Sequence, residues 1–553
     1  MNDNQQQHGE QIAPGRSICT IPDLWIAAAN RERDRVALNV NGVSVTYESL
    51  VNRAYTQARS WYGLGIRGGD HVGVLMSNSV ELVESVFAIM LLGAVPVPIN
   101  TRYRSEELAF LISDAGLAAV VTHDRVDDHV NFDALLNDAI PALHTARSST
   151  EMELPGLATL RHVVMHGSKP AEGAVGWSEF LALGNVIDVD IIERARCAVD
   201  VQDLAMIIYT SGTTSRPKGA MLSHRSIVGC WMGVARHWAM EPEDRFWDPC
   251  PMFHIASLGP LVFTLGTGAT FLSDTYFDAG RALEMIAKHR ATMLYPTFPP
   301  IMKAMLEHPN LPQTDLSSVK LMLNVGDPAY LEEVQRAFPM IAQVTDYGAT
   351  EAGGIASVHS PNDAVENRTG DCGVPLGEYS FRVVDPDTAA ICSEGERGEI
   401  LIRSPYMFSG YLNAPEATAA VLDTDGWYHT GDCGRINQRG AIEYFGRLKD
   451  MLKVGGENVA AAEIEFFLDS HPAIRMSQVI GIPDERLGEV VCAFIEREPL
   501  SDLVEEDVLE FCRGRIATFK VPRQVHFIDA WPMSATKVRK HKLRELLDPD
   551  DAS

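Results

Sequence analysis

The sequence predicts an α/β protein, with a parallel sheet covered by helices and more than one domain. Three observations carry this. Between residues 36 and 122, short apolar runs alternate with helical patterns at the spacing of βαβ units. The chain has 553 residues, and length alone sets roughly two to four domains. A further apolar run, 204–209, empties into a loop of hydroxyls and glycines rather than into another apolar pattern.

Taken in order, residues 1–20 form a polar tail, expected to be disordered. Alternating runs on either side of Asn41-Gly42 predict a hairpin. Thr46 can cap a helix over 47–61, followed by a glycine-rich loop over 63–69 and a strand over 71–76. Ser77 and Asn78 are the cap candidates for a helix running to Leu92, and 95–99 is extended. A helix over 105–115 then precedes a strand over 118–122. From 124 to 200 the signal weakens, and 146–168 reads as loop. No internal repeat of about 20–50 residues stands out.

Composition narrows the function classes. Hydrophobic content of 46% with 22% charged residues fits a soluble globular protein with ample core. The net charge of −27 argues against a nucleic-acid partner, yet leaves small anionic ligands open. Nine cysteines, scattered from Cys19 to Cys512 without metal-ligand spacing, point to a reducing compartment. The N-terminus lacks the basic and apolar regions of a secretory signal. The strongest apolar stretch, 86–95, is broken by Gly93 and Pro96, and falls short of the ~20 residues a transmembrane helix needs. A cytoplasmic enzyme is the expectation.

The chemistry concentrates in seven stretches. The first is Tyr209-Thr-Ser-Gly-Thr-Thr-Ser-Arg-Pro-Lys-Gly, with Ser223 placed to cap the following helix. Its donors and its lysine, Lys218, suit a polyphosphate, although it is not a Walker A loop: Gly219 follows the lysine where Ser or Thr would stand. Taken alone, such a loop is more often a surface linker. Next, His254 ends Pro251-Met-Phe-His, as a group that orients a carboxylate or as a hydrogen-bonded core histidine. Lys320-Leu-Met-Leu-Asn-Val-Gly-Asp-Pro328 reads as a strand ending in a turn. Thr345-Asp-Tyr-Gly-Ala-Thr-Glu351 offers Glu351 as a hard carboxylate. Thr430-Gly-Asp432 places a carboxylate after a glycine turn. Finally, Gly446-Arg-Leu-Lys-Asp-Met-Leu-Lys-Val-Gly-Gly-Glu-Asn and the basic tail around Lys537 follow in the last hundred or so residues.

In this order the stretches resemble the motifs of the adenylate-forming superfamily, which includes acyl- and aryl-CoA synthetases, peptide-synthetase adenylation domains and luciferases. The resemblance runs from about residue 21 to residue 547. It implies a large N-terminal domain of layered sheets with helices, residues 21–446, and a small mobile C-terminal α+β domain, residues 447–553, hinged near Lys449. It implies ATP, Mg²⁺ and coenzyme A, a small carboxylic acid as substrate, and leaves a homodimer open. Thr210, Ser211, Gly212, Thr213, Thr214 and Lys218 would cradle phosphates. Gly326, Asp327 and Pro328, with Asp346, Tyr347 and Gly348, would line the adenine and acyl group, and Tyr347 would stack on the base. Thr350 would meet phosphate, Glu351 Mg²⁺, and Asp432 and Arg447 the ribose. His254 would gate the acid, Lys537 would be the catalytic lysine, and Gly455-Gly456 would let pantetheine pass close to the backbone.

The implied reaction is adenylation of a carboxylate followed by thiol attack from CoA. Delivery to a carrier-protein thiol and a non-catalytic acyl-binding role are the alternatives. Three departures stand out: Val325 and Asp327 in the pocket turn, Ala461 in place of a proline, and no glycine before Lys537. The small residues Ala352-Gly-Gly354 leave room for a bulky acyl or aryl acid, whereas Val325 works partly the other way.

Overall fold

The computed structural model describes residues 19–127, 129–141, 143, 159–167, 173–210, 217–454, 457–484, 486–533 and 538–547. The chain divides into two compact units. One holds Met1–Met322, Thr350–Ile355 and Pro405–Pro415, and the other holds Leu323–Ala349, Ala356–Ser404 and Glu416–Ser553.

The first unit is built on parallel sheets. In one, the order is Met293–Thr297, Arg245–Trp247, Thr270–Ser273, Val36–Val40 and Val43–Thr46, parallel except for the last pair. The second runs Val95–Pro98, His71–Leu75, Ala119–His123, His162–His166 and Val175–Gly176, all parallel. Helices cover these strands, which is why they read as nearly unbroken apolar runs. The expected α/β class and its βαβ register are therefore present.

Local signals placed several elements. Asn41 and Gly42 both have positive φ, 52° and 81°, as a two-residue hairpin turn requires. Thr46 accepts the Ser49 N–H at 3.3 Å and starts the helix Tyr47–Gly63. The cap of the next helix, Val80–Leu91, is Ser79 rather than Ser77 or Asn78; its hydroxyl accepts the Leu82 N–H at 3.2 Å. Asn78 instead clamps a distant turn, donating to the Cys250 carbonyl at 2.9 Å and accepting from the Met252 N–H at 2.8 Å.

The elements not foreseen include one helix and one strand in the first unit. Thr20 caps a helix, Ile21–Arg31, which buries Leu24, Trp25 and Ala28. Within the span read as loop, His162–His166 forms a buried strand. Its short apolar centre, Val-Val-Met between two histidines, carries too few residues to show a period.

The second unit has one antiparallel sheet and one that is antiparallel but for a single added strand. Ser380–Val384, Gly398–Arg403, Tyr428–Ile436 and Ile442–Arg447 pair in sequence order. The 3₁₀ turn Leu448–Asp450, which contains Lys449, leads on to Met451–Val454 and Glu457–Ala460. These join Gly488–Arg497 and Ile474–Asp484, with Gln524–Phe527 added in parallel. The helices Ala461–Asp469 and Glu505–Cys512 pack Ile464, Leu468 and Val508 against that sheet. Ala461 opens its helix without difficulty.

A buried charge network braces this unit. His359 lies 3.1 Å from both Asp363 and Asp371, and Asp371 also bonds Arg439, Asn437 and the Gly373 N–H. Burial works to raise the Asp371 carboxyl, but the bonds from His359, Arg439 and Gly373 outweigh it and hold it down to about 2. Burial likewise works to lower His359, and its bonds to Asp371 and Asp363 prevail, raising it above the usual histidine value. The unfolded chain therefore binds more protons at Asp371 between about pH 4 and pH 2, and about 2 kcal/mol of stability is lost as pH falls through that window. The stabilisation from charged His359 is full in acid and is lost as pH rises through its raised folded value. The melting-temperature gap between the parent and Asp371→Asn is expected to close on acidification from pH 4 to 2, as measured by calorimetry; a constant gap would refute the assignment.

Among the described residues, no helix is long and apolar enough to cross a membrane.

Candidate active site

In the first unit, the strand Leu204–Thr210 pairs antiparallel with Lys218–Ser223, so that Thr210 lies opposite Lys218. Lys218, expected inside a loop, thus opens a strand. Ser223 caps the helix His224–His237 as its position implied, accepting the Ser226 N–H at 3.1 Å. Ser211, Gly212, Thr213 and Thr214 lie outside the described residues.

Residues 409–412 run along the lysine-bearing strand. The Ser409 N–H bonds the Met221 carbonyl at 2.8 Å, and the Leu412 N–H bonds the Gly219 carbonyl at 2.8 Å. This places the Tyr411 ring 5.3 Å from the Lys218 ammonium and its hydroxyl 2.6 Å from Glu351 Oε1. Glu351 sits in a 3₁₀ turn, Thr350–Ala352, with Thr350 beside it in the chain. Lys218 and Glu351, 133 positions apart in sequence numbering, are thereby brought to one tyrosine. The Gly410-Tyr411 string is visible in the sequence, but nothing local points to its partner.

His254 is the N-cap residue of the buried helix Ile255–Thr267, and its carbonyl accepts from Ser257 and Leu258 at 3.0 and 2.9 Å. Its ring lies against Phe253, with centroids 4.4 Å apart. Upstream, Asp248 is fully buried, its carboxyl pushed up to about 7 by that burial. One of its oxygens accepts the Cys250 N–H at 2.7 Å. No local pattern around Asp248 marks it as buried.

The glycines after Glu351 do not leave the room expected of them. A Cβ on Gly354 would fall 2.5 Å from the Trp231 ring, and one on Gly259 1.9 Å from it. The Trp231 indole N–H donates to the Gly353 carbonyl at 2.9 Å. The space these residues open is filled by that indole. Ala352-Gly-Gly354 therefore leaves no space of its own for a bulky acid.

In the second unit, three predicted residues meet. The Tyr347 hydroxyl donates to Asp432 Oδ2 at 2.6 Å, and Arg447 Nε lies 3.0 Å from Asp432 Oδ1. Asp432 and Arg447 are direct cross-strand partners, an arrangement in which opposite charges attract. Arg447 also donates to the Thr430 carbonyl at 2.7 Å. Burial and the adjacent Asp432 drive the Tyr347 phenol far above its ordinary value, so it stays a hydrogen-bond donor. The Tyr347 ring lies 5.8 Å from Tyr444 and 6.1 Å from Phe381. Burial pushes the neighbouring Asp346 carboxyl up to about 7, and Gly348 is exposed.

The turn at Gly326 has a structural duty as well. Asp327 caps the helix Pro328–Ala337, accepting the N–H groups of Ala329 and Tyr330 at 2.8 and 3.1 Å. A Cβ at Gly326 would meet the Tyr330 ring at 2.4 Å, so that glycine permits a close approach. Gly455 and Gly456 lie outside the described residues, as does Lys537. Of the basic tail, Lys540 pairs with Glu465 at 2.6 Å and Lys542 with Glu545 at 2.9 Å.

Glu351 suits Mg²⁺. Its carboxylate is a hard ligand with Oε1 engaged by Tyr411, and among the described residues nothing donates to Oε2. No group of three or more potential ligands gathers among the described residues. A cation here would be held chiefly by phosphate oxygens plus one carboxylate, the arrangement Mg²⁺ favours.

Fold and motif order together define an adenylate-forming enzyme. The AMP-binding enzyme family matches residues 25–412 and its C-terminal domain matches residues 463–537, so the chain belongs to that family. The 7a-methyl-1,5-dioxo-octahydro-1H-inden-4-yl propanoyl:CoA ligase of Mycobacterium tuberculosis is 33% identical over 532 residues, covering 95% of this chain and 99% of that protein. The mitochondrial medium-chain acyl-CoA ligase ACSF2 of Mus musculus is 30% identical over 547 residues, covering 96% and 88%. Among solved structures, ATP-bound MatB from Rhodopseudomonas palustris superposes with a TM-score of 0.80 at 27% identity, covering 96% of this chain and 99% of that one.

Proposed function

We infer that the chain is an ATP-dependent carboxylic acid–CoA ligase. The observation that carries this reading is the match to both parts of the AMP-binding family, together with relatives that are CoA ligases over nearly their full length. A carboxylate oxygen attacks the α-phosphorus of ATP, forming an acyl–phosphate bond and releasing pyrophosphate. The CoA sulfur then attacks the acyl carbon, and AMP leaves.

The first step brings two anions together, so its barrier is set mainly by electrostatics and position. Lys218, with Thr210, Ser211, Gly212, Thr213 and Thr214, is assigned to the phosphates, with Thr350 beside them. Asp432 and Arg447 are assigned to the ribose, Tyr347 with Asp346 and Gly348 to the adenine, and Gly326, Asp327 and Pro328 to the wall shared by base and acyl group. Bound Mg²⁺ on Glu351 would neutralise phosphate charge. His254 orients the acid, and Lys537 meets the charge developing on the transferring group. For the second step Lys537 gives way and Gly455-Gly456 admits pantetheine, by rotation of residues 447–553 about Lys449. A 3₁₀ turn between two strands offers a short segment that can absorb such a change.

A panel of carboxylic acids scored by pyrophosphate release, with free CoA or a carrier protein as acceptor, tests the reading. Acid-dependent release with acyl-CoA as product is expected. Release without CoA acylation would move the acceptor to a carrier protein, and no release with any acid would overturn ligase activity.

A further inference from the structure

Tyr411 holds two groups of the proposed nucleotide site at once. Its backbone bridges antiparallel to Ala220, and the next residue, Leu412, bonds the Gly219 carbonyl, so the segment is locked to the strand that begins at Lys218. Its hydroxyl donates to Glu351 Oε1 at 2.6 Å, and its ring lies 5.3 Å from the Lys218 ammonium. Phe408, packed edge-on against that ring at 5.0 Å, donates its N–H to the Glu351 carbonyl at 2.8 Å. One short segment therefore grips Glu351 at its backbone and at one carboxylate oxygen, and seats Lys218 on an aromatic face.

These contacts have directional consequences. The bond on Oε1 restrains the carboxylate rotor and favours Oε2 as the oxygen offered to a cation. Mg²⁺ demands near-octahedral geometry, so the orientation of a single carboxylate ligand matters. Groups that hydrogen-bond a metal ligand fix its orientation and tune affinity. A cation within ~6 Å of a ring centroid is attracted to the face of the ring, which restrains the lysine without neutralising it.

We propose that Tyr411 is a positioning residue for the nucleotide–metal complex, aiming Glu351 through its hydroxyl and Lys218 through its ring. The identity of the nucleotide rests on the ligase reading above. A tyrosine needed for packing alone would support folding through its ring and find a partner for its hydroxyl, but removing that hydroxyl would leave cation affinity unchanged.

Two binding measurements on the full chain separate these roles: Mn²⁺ binding in the presence of a non-hydrolysable ATP analogue, followed by electron paramagnetic resonance, and ATP binding in EDTA, followed by calorimetry. Tyr411→Phe is expected to weaken Mn²⁺ binding about 10–100-fold while leaving metal-free ATP binding as in the parent. Tyr411→Leu is expected to weaken both. Parent-like Mn²⁺ affinity in Tyr411→Phe, alongside a loss in Glu351→Gln, would overturn the proposal and leave the metal assignment standing. Parent-like affinity in Glu351→Gln would instead remove the metal role of Glu351, and the proposal with it. Should Tyr411→Leu fail to fold, the phenylalanine variant decides alone.

Discussion

Replacing Lys537 by alanine is expected to slow carboxylate-dependent pyrophosphate release by about 10²–10³-fold, the loss seen when one preorganised charge-stabilising donor is removed. Transfer of a preformed acyl-AMP to CoA is expected to proceed at the parent rate. The asymmetry follows from the chemistry of the two steps. Adenylation builds charge on a phosphoryl group already crowded by anions, whereas thiolysis attacks a carbon whose leaving group carries its charge away. The two half-reactions are measured separately, and a variant that formed adenylate as fast as the parent would remove Lys537 from the mechanism. Thr536 stands directly before this lysine, where relatives by resemblance carry a glycine.

Asp432→Ala is expected to act on both binding and stability. Asp432 is buried between Tyr347 and Arg447, at 2.6 and 3.0 Å. Truncation leaves a buried phenol without its acceptor, which costs about 1–3 kcal/mol. It also takes away the carboxylate assigned to the ribose, and the loss of its charge-assisted bonds raises the KM for ATP about 10–100-fold. Asp432→Asn keeps an acceptor for Tyr347 but removes the charge opposite Arg447. It is therefore expected to recover most of the melting temperature and little of the ATP affinity. Parallel changes in the two quantities across both variants would make Asp432 a structural residue only.

Elements whose cause is local were legible in the chain. Thr46 and Ser223 cap helices because a hydroxyl at that position reaches an N–H three residues on, and Asn41-Gly42 turns because both residues tolerate positive φ. Ser77 and Asn78 were the expected caps of the helix Val80–Leu91, and both expectations were off by one or two positions. Ser79 became the cap, and Asn78 was drawn away to the backbone of Cys250 and Met252. The helix Ile21–Arg31 carries a local start signal in Thr20, but its 11 residues are too few to show a clear period. Small residues after Glu351 looked like empty space, since a sequence does not say that Trp231 fills it.

The sequence by itself determined the family, the α/β class, the order of the motifs and the residue types the chemistry requires. Those depend on side-chain identity and on spacings of a few residues. Only the tertiary structure decided that Tyr411 holds Glu351 from 60 positions away and that Asp432 is shared by Tyr347 and Arg447. Such pairings are set by which strands lie side by side, and strand neighbours are chosen by the burial of whole sheets rather than by any short stretch of chain.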